Sequence, residues 1–160
     1  MRQFSADLYA CLAILSLFAV GCSSSASPER GSPLEFRRLE GLSTNGPSAF
    51  AVPSEWLITD SSSWQRAWQE STAEEVPPLS VDLSENVLAL VALGARPSGG
   101  YSIEITEVRH HESVLDVFVL AFSPTQDCVV PGGETAPMVA VVIPGAARSA
   151  RFNYSTVEGC

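Results

Sequence analysis

The run Asn86-Val-Leu-Ala-Leu-Val-Ala-Leu93 restricts the fold of this chain more than any other segment. It has strand length, and after Asn86 it contains no polar residue. A run without alternation belongs to a strand covered on both faces, in the middle of a domain. Something must therefore pack on each side of it.

The segments around it supply the candidates. Tyr101 to Val108 alternates, with Tyr101, Ile103, Ile105 and, at the end of the row, Glu107 on one side, and Ser102, Glu104 and Thr106 on the other. That is the pattern of a half-buried strand. His110-His111-Glu112 makes a turn, and Val114 to Phe122 pairs back as the second arm of a hairpin. Leu34 to Leu39 predicts a first strand, and a short extended piece follows around Ala49 to Val52. Trp56 to Thr59 is another strand, and Met138 to Ile143 with Ala150 to Tyr154 reads as a last hairpin about Pro144-Gly145. Ser123 to Pro137 reads as a long loop. Asp60-Ser-Ser-Ser63 offers capping side chains ahead of the one predicted helix, whose Trp64 and Trp68 share a face four residues apart. Their spacing points to core packing, with ligand stacking as the rival role. The helix stops by Pro77-Pro78. The sum is a mainly β domain, an antiparallel β-sandwich or half-open barrel with one short helix packed on it.

At 160 residues there is room for one such domain. The amino terminus takes part of the length. Arg2 precedes an apolar stretch from Leu8 to Val20, followed by Gly21 and Cys22. A short charged region, an apolar core and small residues before the cut describe an export signal over residues 1–21. The stretch falls short of the roughly 20 residues that span a bilayer. An uncleaved helical anchor is the competing reading. Ala19-Val20-Gly21-Cys22 resembles the bacterial lipobox, with Ala19 where leucine is usual. The resemblance implies a lipidated Cys22, a membrane reached through that lipid, and a position in the cell envelope outside the cytoplasm. In a two-membrane cell Ser23 is compatible with sorting to the outer membrane. Residues 22–33 then form a Ser- and Pro-rich tether, and 34–160 the folded domain.

Two thiols remain after that cut, Cys128 and Cys160. Outside the cytoplasm such a pair is usually bonded. A loop of this length is worth roughly 3 to 4 kcal/mol in the chain-entropy account. A nucleophilic Cys128 is the alternative, without a His-Asn set to serve it.

Charge excludes one class of partner. Nine basic residues, all arginine, stand against 18 acidic ones, a formal charge of −9. Nucleic-acid binding needs the opposite sign. Catalytic signatures are also missing. His110 and His111 are adjacent, so a strand points them to opposite faces, and no third ligand has useful spacing. Ser98 lacks the GxSxG elbow. The glycine loop lacks the Lys-Ser/Thr of a phosphate cradle. The expectation is a protein without catalytic site, metal or cofactor.

What stands out is Gly94-Ala-Arg96-Pro97-Ser98-Gly99-Gly100-Tyr101-Ser-Ile103. Pro97 fixes one φ, the two glycines admit positive φ or close backbone approach, and Tyr101 presents a ring at a strand's start. The segment is a tight turn, a binding loop, or both. It resembles the PrcB C-terminal domain family, whose recognisable stretch is Gly-x-Arg-Pro-(Thr/Ser)-Gly-Gly-Tyr-Ser-Ile. The likeness continues through Cys128-Val-Val, Thr135-x-Pro137 and Ile143-Pro144, and Trp64 and Trp68 resemble the family's helix. Coverage on these residues runs from Leu34 to Tyr154. The resemblance implies a small, mostly β, non-catalytic domain in a lipoprotein that assembles or stabilises a surface protease. Arg96 to Tyr101 is then the candidate interaction loop. The loop is also faintly similar to the Pro-Thr-Thr-Gly-Tyr loop of chagasin-type inhibitors, which makes protease inhibition the alternative.

Overall fold

The computed structural model describes residues 31–40, 50–71 and 81–160. Within them two four-stranded sheets stack face to face, and a helix covers the outer side of one. The first sheet has the order β1-β6-β7-β10. Its strands are β1 (Ser32–Pro33), β6 (Ser102–His111), β7 (Val114–Pro124) and β10 (Ser149–Gly159). The second has the order β2-β9-β4-β3. It is built from β2 (Arg37–Arg38), β3 (Ser54–Ile58), β4 (Asn86–Ala92) and β9 (Met138–Pro144). A small third sheet pairs β5 (Arg96–Ser98) with β8 (Gly132–Thr135).

The continuous apolar run behaves as its composition requires. Val87, Ala89, Val91 and Leu93 face the space between the sheets, with Val139, Val141 and Ile143 of β9 beside them. Ile103, Ile105, Val108, Leu115, Val117 and Val119 close that layer from the first sheet. Leu88, Leu90 and Ala92 point the other way, into a second core under α1 (Ser61–Ser71). There Trp64 and Trp68 are 4% and 6% exposed, with ring centroids 5.7 Å apart. Both are core, and the ligand-stacking role falls with their burial. Asp60 caps the helix: its Oδ1 accepts from the backbone N–H groups of Ser62 and Ser63, each at 2.9 Å.

Four sequence expectations need correction. The predicted first strand is split, because Ser32–Pro33 pairs with β6 and Arg37–Arg38 with β9. Leu34 and Phe36 lie between these two strands and pack against the core. Strand pairing therefore begins inside the stretch assigned to the tether. In β6, a bulge between Ile105 and Glu107 shifts the alternation. Val108 takes the inward place and Glu107 turns out to meet Arg109. The predicted last hairpin does not form. The chain crosses between sheets after β9, and β10 runs parallel to β7, Ser149 opposite Val114 and Gly159 opposite Pro124. Gly145 at φ 97° starts that crossing, which is pinned by Gly145 N–H to Glu85 O and Arg148 N–H to Ser113 O, both 2.9 Å. Finally, the supposed long loop Ser123–Pro137 contains β8. The predicted end of the helix at 74–78 and the tether up to residue 30 lie outside the described residues.

Candidate interaction ribbon

After β4 the chain leaves the sheet, and Gly94 is where it can turn. Its φ is 76°, and a Cβ there would lie 2.7 Å from Pro53 Cδ. The next residues are fixed by pairing: Ala95 N–H donates to Ala51 O, and Arg96 and Ser98 face Thr135 and Gly132. Thr135 Oγ1 donates to Ser98 O at 2.9 Å, and Gly99 N–H donates to Pro131 O at 2.8 Å. Gly100, at φ 85°, has no room for a side chain, since a Cβ would meet Val130 Cγ1 at 2.6 Å. Arg96, Ser98, Gly99 and Gly100 are thus held against β8 or the residues just before it.

Tyr101 is half-buried and packs on the inter-sheet core. Its ring carries the Arg96 guanidinium, whose carbon is 5.7 Å from the ring centroid, inside cation–π range. Pro97 and Pro131 to Glu134 are exposed, and Val129 is fully so. Gly132 and Gly133 have no neighbour within 4 Å of where a Cβ would stand. The result is a stiff two-stranded ribbon with proline, valine and bare backbone on its surface.

The disulfide Cys128–Cys160 lies beside it, with Cα atoms 5.3 Å apart. Thr125 organises the junction: its N–H donates to Gly159 O, and its carbonyl accepts from Cys128 N–H. Bonded in this way, Cys128 is no nucleophile. Cys22 lies outside the described residues. His110 and His111 sit at the other end of β6. His110 lines a cleft of about 230 Å³ with Leu34, Leu115 and Ile143. Among the described residues, no three His, Cys, Asp or Glu side chains are grouped so as to hold a metal ion.

The strand directions set the two ends apart. β6 starts at Ser102, next to the ribbon, and ends at His111. Gly31 backs onto the carbonyl of His110 and Ser32 pairs with the same residue. The amino-terminal segment therefore joins the sandwich at one end, and the ribbon occupies the other. Ten residues of strand separate them, about 30 Å.

The ribbon also lies inside the segment that known proteins share. Residues 87–144 match the family model described as PrcB C-terminal. This stretch is similar to the PrcB C-terminal family. The match is narrower than Leu34 to Tyr154, running from β4 through β9 and so taking in both ribbon strands and the hairpin between them. No curated protein and no solved structure matches the chain.

Sequence reasoning singled out Arg96 to Tyr101 as a turn and did not see that Arg96–Ser98 is a strand, and it missed β8 as well. Pro131-Gly-Gly gives no strand signal, and the pairing that makes it one is to residues some 36 positions away, from Arg96 to Ser98. Thr135, β-branched and before Pro137, was the only residue there of strand type.

Proposed function

We propose that this is an envelope lipoprotein, held to the membrane through lipid on Cys22, whose PrcB C-terminal segment is a non-catalytic protein-interaction module. The ribbon is its contact surface, and the partner is a surface protease that it assembles or stabilises. The observation that carries this reading is the placement of the ribbon. It stands at the end of the sandwich away from the entry of the amino-terminal segment, where an anchored domain would offer it to another protein. The surface there is suited to contact: exposed Val129 and Pro97 over a framework already stiffened by pairing and the disulfide. A preordered surface loses little conformational freedom on binding. The family likeness supplies the protease as partner class. Fold kinship alone does not transfer a partner, so the assignment stands on experiment.

A photo-crosslinking amino acid at position 97 or 129 of the full chain, in cells, is expected to capture one envelope protein, a protease. The same probe at Asn153, on the outer face of β10, is expected to capture far less. Equal capture from all three positions would reject the ribbon as the contact surface. Cys22→Ala is expected to abolish incorporation of labelled palmitate and to release the protein from the membrane fraction. Palmitate retained in that variant would reject the anchor.

A further inference from the structure

Within the ribbon, Arg96 is the side chain that its own chain leaves incomplete. The other arginines among the described residues are provided for. Arg109 meets Glu107 at 2.7 Å and donates to Gly31 O, and Arg151 meets Asp116 at 2.8 Å. Arg37, Arg38, Arg66 and Arg148 are exposed to water. Arg96 is half-buried, its Nε is sealed from solvent, and that Nε has no hydrogen-bond partner. No carboxylate of the described residues forms an ion pair with it, although the chain carries 18 acidic residues. Glu134, its neighbour on β8, is exposed and makes no such pair.

The guanidinium is nonetheless held in place. Its backbone is paired to Thr135 and its group lies over the Tyr101 ring, itself fixed on the core. With its carbon over the ring and its Nε sealed, the half-buried cation offers an arriving acceptor its terminal Nη groups. The acceptor that fits this fork with two parallel hydrogen bonds is a carboxylate. We infer that Arg96 is the anchor for a carboxylate of the partner protein, either an Asp or Glu side chain or a chain terminus, seated against the Arg96–Tyr101 stack. This rests on the reading of the ribbon as a contact surface and names the chemistry it recognises.

The test uses the full chain in detergent against two displayed peptide libraries, one with free carboxyl termini and one with amidated termini. Ribbon binders are those lost with Pro97→Asp or Val129→Asp. Such binders are expected to need a carboxylate: a terminal one if amidation abolishes binding, a side-chain one if Asp→Asn or Glu→Gln in the peptide does. Arg96→Gln is expected to weaken them roughly ten- to a hundredfold, the range of a charge-assisted hydrogen bond. Arg96→Lys, which keeps charge but loses the fork, is expected to fall between. The peptide arms alter no residue of the protein, so they decide the matter even if Arg96→Gln unfolds. Ribbon binders indifferent to the loss of their carboxylates overturn the role of Arg96 and leave the ribbon standing. Absence of any ribbon-dependent binder from both libraries overturns the inference together with the surface it rests on.

Discussion

The two large sheets solve the same problem with different sequences. β4 and β9 are buried on both faces, one towards the other sheet and one under α1 with its tryptophans. β6 and β7 bury one face only, and their outward rows include Ser102, Glu104 and Asp116. Continuous apolar runs accordingly mark the inner sheet and alternation marks the outer one. The difference teaches where substitutions should hurt: in β4 and β9 parity does not matter, and in β6 and β7 it decides the outcome.

The sharpest way to break this contrast is a charge placed at consecutive positions. Leu90→Asp and Val91→Asp, both residues at 0% exposure but on opposite faces, are each expected to unfold the domain at room temperature. Glu104→Ser, outward on β6, is expected to shift stability by no more than about 0.5 kcal/mol. Circular dichroism melts of the three variants decide it, and a folded Leu90→Asp protein would show that the helix layer contributes little. Next in size is Cys160→Ser, expected to cost about 3 to 4 kcal/mol in urea unfolding because the unfolded chain regains the entropy of the opened loop. Gly100→Ala places a methyl group against Val130 at positive φ. It is expected to lower stability by more than the roughly 0.4 to 1 kcal/mol that the same replacement adds where the backbone suits alanine.

A smaller effect concerns the helix that covers the inner sheet. The hydroxyls of Ser62 and Ser63, then their backbone N–H groups, hold the Asp60 carboxyl well below the ordinary carboxylate range. A carboxyl depressed by folding stabilises the native state above its unfolded pKa, and that contribution fades as pH falls through the folded value. Asp60→Ala is therefore expected to lower the melting temperature by a few degrees at pH 7. The gap should narrow as pH drops below about 4, the unfolded carboxylate value. A gap unchanged at pH 2 would show that the cap acts through shape rather than charge. Smallest is Arg151→Gln, which removes the exposed pair with Asp116 and is expected to cost under about 1 kcal/mol, less in high salt.

How far the sequence could be read follows from how local each signal is. Leu88 to Val91 declared burial on both faces, Ile103 and Ile105 declared one, Asp60-Ser-Ser-Ser63 declared a cap, and Glu112, at φ 58°, sits at the tip of the predicted hairpin. All of these depend on neighbours within a few positions. The partner of β10 does not. Ala150 and Phe152 show an inward row, and nothing in them says whether β9 or β7 lies alongside. The bulge at Glu107 was hidden for a similar reason, since only the fit of Val108 against the opposite sheet reveals it. In the ribbon, Arg96, Pro97 and Tyr101 were legible as a motif. Val130 and Thr135, which make that motif rigid, became visible only through pairing across the intervening hairpin.

The parallel course of β10 has a consequence for how the molecule is completed. In the folded molecule Cys128 and Cys160 are brought together by the final strand's course along its neighbour, which ends with Gly159 opposite Pro124. Once made, the bond fastens that register at its far end, and reduction would release two sulfhydryls that an alkylating reagent could count.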